Sequence, residues 1–365
     1  MPINFFSRKV GRFKAILLNL LPFILSGAIF LSIKLAVRRP EFVEHYYSKG
    51  IYPFIARFFS FLSSFIPFSL WDVFWILFLL LIISGLILVL FRRINAGWFI
   101  LRTLQTIALL YSLFYLVWGY NYFRPAISIR IGWESPKADE MNFRSVLDSI
   151  IIQTNHNYFP DASSDYAKID TLVEESYFNN SKVLGIVYPN GSRRPKTMLF
   201  STLFAKVGVN GYFGPYFNEI HMNYFLLPVD YPFSLAHEKA HQFGFASEAE
   251  ANLAAFVVCV TSSDQSLRYS GYQTLLLYFL SDATRLDDYK KYLDKIDKNV
   301  LKDLQYRQKY YLSLQNKKLS EMQSKVNNAY LKVNRIEKGV KNYNQVVSLV
   351  ISWYYNANLI KEKTQ

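Results

Sequence analysis

Long uninterrupted apolar runs occupy the first third of the chain, and shorter periodic ones fill the rest. Ala15–Ile33 is uncharged and about as long as a helix that crosses a bilayer. Val73–Phe91 (VFWILFLLLIISGLILVLF) is the clearest run of all. Thr103–Tyr122 is weaker, because it includes Gln105 and tapers into WGYNY. Trp71, Trp75, Trp98, Trp118 and Tyr120 gather near the segment ends, where interfacial aromatics sit. The pattern predicts three membrane-spanning helices, about 15–33, 73–91 and 103–122, making a membrane region over residues 1–122. Basic residues precede the first run, but it is long for a signal peptide and no small-x-small site follows it. It reads as a retained anchor. Ile51–Leu70 is also apolar, yet Pro53, Arg57 and Pro67 interrupt it, which predicts an interfacial or re-entrant helix.

From Phe123 onward the pattern is that of a mixed, water-exposed region. Met141–His156 and Tyr166–Phe178 carry apolar residues at helical spacing. Val183–Pro228 is richer in Gly, Pro, β-branched and aromatic residues, and EIHMNYFLL within it alternates like a strand. Beyond Phe233 the spacing is helical nearly to the C-terminus. No internal repeat or low-complexity linker interrupts it.

Composition supports this division. The chain is 52% hydrophobic and 18% aromatic, with the excess in the first third. Net charge is +14, part of it beside the apolar runs and part between Leu286 and Gln345. The latter reads as a solvated helix face, since no aromatic-plus-basic motif accompanies it; the expected partner is a lipid bilayer, not nucleic acid. Arg8, Lys9, Arg12 and Lys14, with Arg92, Arg93 and Arg102, place those loops inside and everything after Tyr122 outside. Lys34, Arg38, Arg39, Lys49 and Arg57 on the opposite side weigh against that orientation. Cys259 is the single cysteine, so neither a disulfide framework nor a cysteine zinc site is possible. Its apolar setting (LAAFVVCV) predicts a packed thiol.

One stretch carries chemistry: HEKAHQFGFASEAEAN, His237–Asn252. Two histidines four apart on a helix present their rings from one face, as a tetrahedral Zn²⁺ site requires. Glu238, offset around the helix, sits where it can take a proton from a water at the metal. Asp230 and Pro232 punctuate the start of this helix, and Gly244 its end. Ser247 and Glu250 then fit a capping box opening a second helix, on which Glu248 and Asn252 lie one turn apart. That makes Glu248 the expected third ligand, with Glu250 as the alternative. Asn252 can fix the tautomer of a ligating histidine through a hydrogen bond. Ala249, Ala251, Ala254 and Ala255 keep the second helix slim enough for close approach.

Upstream, Glu219–Leu227 is placed to be an edge strand binding extended substrate, through Glu219, His221 and Asn223. A lone strand histidine such as His221 is more often structural than a ligand. Tyr224 and Tyr343 are candidates for stabilising an oxyanion. Lys239, Gln242 and the flanking Pro and Asp residues keep the motif itself out of the bilayer.

The three apolar runs, WGYNYFRP (Trp118–Pro125), GVNGYFGPYFNEIHMN (Gly208–Asn223) and HEKAHQFGFASEAEAN together resemble a bacterial membrane family catalogued only as a domain of unknown function. That family carries a HExxHQxGFAxExEAN signature. The resemblance covers nearly the whole chain and implies a zinc-metallopeptidase-like domain in the bacterial cytoplasmic membrane. EAEAN is also distantly similar to the E-x-x-A-D helix of membrane-associated gluzincin peptidases. That likeness implies Glu248 as ligand and Asn252 as its support, with Asn standing for Asp and a shorter gap between the helices.

The expected fold is thus an α-helical transmembrane N-terminal region with three spans, followed over 123–365 by a mainly α, α+β zincin-like domain with a small sheet. The expected activity is a membrane-anchored, zinc-dependent metallopeptidase acting on a peptide or protein substrate outside the cytoplasm. His237, His241 and Glu248 hold Zn²⁺, and Glu238 is the general base. The rival from another class is a non-proteolytic zinc sensor or scaffold, in which a further protein ligand closes the site.

Overall fold

Three helices in the computed structural model are long and apolar enough to cross a membrane: Ile16–Arg38, Leu70–Leu90 and Ala96–Val117. The structure describes residues 3–133, 139–160, 165–333 and 343–364, with side chains for 16–133, 139–160, 165–325 and 345–357. Leu18, Leu35, Leu81 and Leu90 stand out from these helices largely exposed, an apolar surface suited to lipid. The chain is a membrane protein.

The second span falls where the apolar run predicts. The third begins at Ala96 rather than Thr103 and ends at Val117 rather than Tyr122. Asn95 starts it, its side chain accepting from the Trp98 N–H at 3.1 Å. Arg102 and Gln105 are accommodated inside it because they pair with the first span. Arg102 donates to Gln105 Oε1 (2.9 Å) and Asn19 Oδ1 (3.2 Å), and Gln105 donates to the Asn19 carbonyl (2.7 Å). Trp118 leaves the helical region, and a 3₁₀ turn, Gly119–Phe123, follows.

The helix within Ile51–Leu70 has 13 residues, short of a membrane span. A π-helical stretch, Val43–Ile51, runs into helix Tyr52–Ser64, which exposes Phe54, Phe58 and Phe61 along one face and buries Ala56, Ser60 and Ser63 on the other. That amphipathic division suits a helix lying in the membrane interface.

The remainder is mostly helical. Glu140–His156 and Tyr166–Asn180 begin at capping aspartates, Asp139 and Asp165. Helix Tyr231–Gln242 carries HExxH, and Glu248–Val260 follows it, its residues from Leu253 to Val260 all buried at the centre of the core. Cys259 is fully buried there, and burial pushes its thiol up. Gln265–Ala283 and Tyr343–Thr364 pack around this central helix.

A three-stranded sheet lies against the HExxH helix in the order β1 (Lys196–Thr197), β3 (Glu219–Met222), β2 (Gly211–Gly214). This corrects the strand expected at Glu219–Leu227. The strand stops at Met222, because Asn223 turns the chain: its side chain accepts from the Phe225 N–H and its carbonyl from Leu226. Moreover β3 is central, parallel to β1 and antiparallel to β2, so it has no free edge. The sheet edges are β1 and β2, and of the two it is β2 that lines the cavity beside the HExxH helix.

The sheet is fastened to the second span. Glu219 accepts from the Trp71 N–H (3.1 Å) at the start of that helix, and Asp72 accepts from the Tyr212 hydroxyl and from the Leu199 N–H (3.0 Å). The β2–β3 turn reaches farther: Tyr216 packs on Trp71, Phe74 and Trp75 and donates to the Leu110 carbonyl (3.2 Å) within the third span.

Candidate metal centre

The i,i+4 spacing of His237 and His241 brings their Nε2 atoms to 3.1 Å. Glu248, the first residue of the following helix, reaches both, with Oε2 3.2 Å from His237 Nε2 and Oε1 3.7 Å from His241 Nε2. Tetrahedral zinc with N and O bonds near 2.0–2.1 Å needs neighbouring ligands roughly 3.3 Å apart, and these three separations bracket that edge. They form the cluster of metal-ligating type found among the described residues.

Donor chemistry points the same way. His241 Nδ1 lies 2.7 Å from the Phe245 carbonyl. A carbonyl only accepts, so Nδ1 carries a proton and Nε2 is the atom of His241 that can lend a lone pair once its own proton leaves. Three atoms able to donate an electron pair thus converge on one point, which a proton or a metal cation can occupy. Burial disfavours charge on His241, but the Glu248 and Glu238 carboxylates outweigh it and push its pKa up to about 9. Burial likewise acts to raise Glu248, but the two histidines prevail and hold it well below the usual carboxylate range.

The local turn makes this possible. Gly244 adopts φ +86°, a left-handed conformation that ends the HExxH helix. The Phe245 N–H returns to the Ala240 carbonyl at 3.0 Å, which aims the Phe245 carbonyl back at His241. Three side chains from the membrane-proximal segments then bind the carbonyls at the helix end. Trp118 Nε1 donates to His241 (2.9 Å), the Tyr52 hydroxyl to Gln242 (2.6 Å) and Arg124 Nη1 to Gly244 (2.9 Å). These are the carbonyls a helix leaves unsatisfied, and Arg124 also puts positive charge at the negative end of the dipole. Sequence patterning missed the roles of Tyr52, Trp118 and Arg124; WGYNYFRP holds the last two, and nothing around Tyr52 marks it.

Glu238 is buried against strand β2. A Cβ built on Gly211 would stand 2.7 Å from Glu238 Cγ and 2.8 Å from Oε1, so only glycine lets the carboxylate lie there. Burial raises the Glu238 pKa above the ordinary carboxylate value, partly offset by His237 and His241. Glu238, both histidines, Glu248 and Asn252 line one cavity of about 580 Å³, together with Trp118, Gly211, Phe213 and Arg307.

Other expected residues take other positions. Glu250 does not cap its helix with Ser247: its side chain accepts from the Ile127 N–H (2.8 Å) and pairs with Arg130 (2.5 Å), which leaves Glu248 as the carboxylate at the histidines. Asn252 borders the cavity, but His241 Nδ1 is already held by Phe245 and His237 Nδ1 is buried with no hydrogen-bond partner; the tautomer-fixing bond from Asn252 is not made. His221 stacks on Tyr212 and bonds Glu219, while Asn223 binds the Ser201 and Val209 carbonyls, so none of the three serves a substrate strand. Tyr224 is 77% exposed outside this cavity, and the Tyr343 side chain lies outside the described residues.

No curated protein and no solved structure matches the chain. A family model described as "protein of unknown function (DUF3810)" matches residues 47–351, which take in helix Tyr52–Ser64, the second and third candidate spans, the His237–His241–Glu248 cluster and part of the last helix. On that match the chain belongs to the DUF3810 family.

Proposed function

We propose that the protein is a membrane-anchored, zinc-dependent metallopeptidase whose catalytic region faces away from the cytoplasm of a bacterial cell. The observation that carries this reading is the convergence of His237, His241 and Glu248 beside a buried carboxylate in an open cavity. When bound, Zn²⁺ would supply Lewis-acid polarisation of a carbonyl and make a water more acidic. Glu238, which lines the same cavity, is placed to accept a proton from water there and to return it to the departing amine; its raised pKa suits both transfers. His241 is oriented by Phe245, and Gly211 leaves Glu238 the room it needs. The loop charges before the first span and between the second and third support the orientation.

Catalysis is favoured over a structural metal because, among the described residues, the cluster offers three protein ligands, and a structural site takes four. The histidine of the sheet, His221, is occupied by Glu219 and Tyr212.

The direct test is metal content of the detergent-solubilised protein. One zinc per chain is expected, kept in Glu238→Gln and lost in Glu248→Ala. A folded protein that takes up no zinc would end the proposal.

Affinity for zinc is also expected to depend on pH in a defined direction. With its pKa raised to about 9, His241 holds a proton in the metal-free protein at neutral pH, and zinc must displace it. Affinity measured by chelator competition should therefore rise about tenfold per pH unit and level off near pH 9. A flat profile across that range would remove His241 from the ligand set.

Gly211→Ala should keep zinc and lose turnover. The new methyl displaces Glu238 by roughly 1 Å, a misplacement that costs on the order of 100-fold. Undiminished hydrolysis by a zinc-loaded Gly211→Ala protein would contradict the placement of the base.

A further inference from the structure

Strand β2 has an unusual course: it connects the proposed catalytic carboxylate to the membrane. At its start Gly211 lies on Glu238. At its end a Cβ on Gly214 would stand 3.0 Å from the ring of Trp71, the second residue of the second span. The turn beyond it places the Tyr216 ring 5.2 Å from Trp71 and 5.7 Å from Phe74, and its hydroxyl on the Leu110 carbonyl. Leu110 is two turns before the end of the third span at Val117, roughly 10 Å inside it at 1.5 Å per residue. The strand thus descends from the cavity into the outer layer of the span bundle.

The free edge of β2 has hydrogen-bonding groups to offer. Asn223 donates to the Asn210 carbonyl, so this opposed pair is hydrogen-bonded, and the pairs alternate from there. Tyr212 and Gly214 then bond to β3, while the N–H and C=O of Gly211 and Phe213 point away from it. Both residues line the cavity.

Toward the membrane the cavity wall is aromatic: Trp118, the residue after the third span, packs on Phe213 with ring centroids 5.5 Å apart, and both line the cavity. An aromatic wall on the bilayer side matches a chain leaving water for the interface.

We infer that the substrate is a membrane-anchored polypeptide, bound extended along the free edge of β2 and cut in the stretch just outside its own anchor. This rests on the peptidase reading and adds the class of substrate. Antiparallel or parallel addition of a strand through Gly211 and Phe213 holds its backbone. Its carbonyl at the scissile bond then lies beside Glu238, and its continuation runs down past Gly214 to the membrane surface. Strand rise sets the distance: from Gly211 to Gly214 is about 10 Å, which puts the cut roughly three to six residues from the bilayer.

The experiment uses the full chain, zinc-loaded and reconstituted in phosphatidylcholine–phosphatidylglycerol vesicles. It is given one pool of randomised peptides carrying a palmitoylated lysine at one end and the same pool without the lipid. Products are sequenced by mass spectrometry, with Glu238→Gln protein as control. The inference expects Glu238-dependent cuts in the anchored pool, clustered within a few residues of the anchor. Local concentration on the vesicle raises the rate but does not cluster the cuts. Glu238-dependent cuts spread evenly along the anchored peptides, or equal cutting of the same bonds in the free pool, would overturn the inference and leave the peptidase reading intact. No Glu238-dependent product from either pool would overturn both.

Discussion

Glu238→Gln is expected to yield a folded protein that binds zinc as wild type does and hydrolyses peptide about 10²–10⁴-fold more slowly, the range that general acid–base catalysis supplies. The fold should survive because glutamine has the same shape and no charge to bury. The glutamate is disfavoured in its charged form by the same burial that raises its pKa. Zinc should stay because the converging atoms belong to His237, His241 and Glu248, and Glu238 is directed instead at Gly211. What the amide lacks is a lone pair able to accept a proton from water. The measurement is turnover per bound zinc on a peptide pool, compared with metal content in the same preparation. Wild-type turnover in the variant would remove Glu238 as the base, and zinc loss would mean that it holds the metal after all.

The parts of this molecule visible in the sequence are those governed by local pattern. An apolar run needs no partner to be recognised, so the second span is found within a few residues. The start of the third is not, because the pairing of Arg102 and Gln105 with Asn19 joins residues more than eighty positions apart. Two histidines four apart declare a common face on any helix. The choice between Glu248 and Glu250 is different, since a capping box and a buried ion pair place the same demand on position 250. Arg130 and the Ile127 N–H, 120 and 123 residues upstream, decide it. The sheet misleads for a related reason. EIHM alternates plainly and belongs to the centre, whereas GYFG hides its role because glycine is required where Glu238 and Trp71 press on the backbone. Residues that bind carbonyls, such as Tyr52 and Trp118, leave no periodic trace at all.

Glu250→Ala is the substitution expected to cost most in stability, and it separates the two glutamates cleanly. The Arg130 side chain is fully buried, paired with Glu250 at 2.5 Å and stacked 5.2 Å over the Phe245 ring. Removing the carboxylate strands that guanidinium without its direct partner and leaves the Ile127 N–H without its acceptor. Breaking one side of a buried pair costs about 3–5 kcal/mol, which for a region of this size lowers the melting temperature by roughly 10 °C. The damage is to the frame: Phe245 supplies the carbonyl that orients His241, and Arg124, beside it, holds Gly244. Glu248→Ala does the opposite. Its side chain is 35% exposed toward the cavity, so its loss costs the metal-free protein only its pairing with the two histidines, less than the buried pair at Glu250, yet it takes away the third ligand. Thermal unfolding and zinc content, measured together on the folded fraction of both variants, give the answer. A much cooler transition with zinc retained in Glu250→Ala, against a smaller shift with zinc lost in Glu248→Ala, is the expected pair. The reverse pair would move the metal two residues along the helix and make Arg130 a neighbour of the site instead of its foundation.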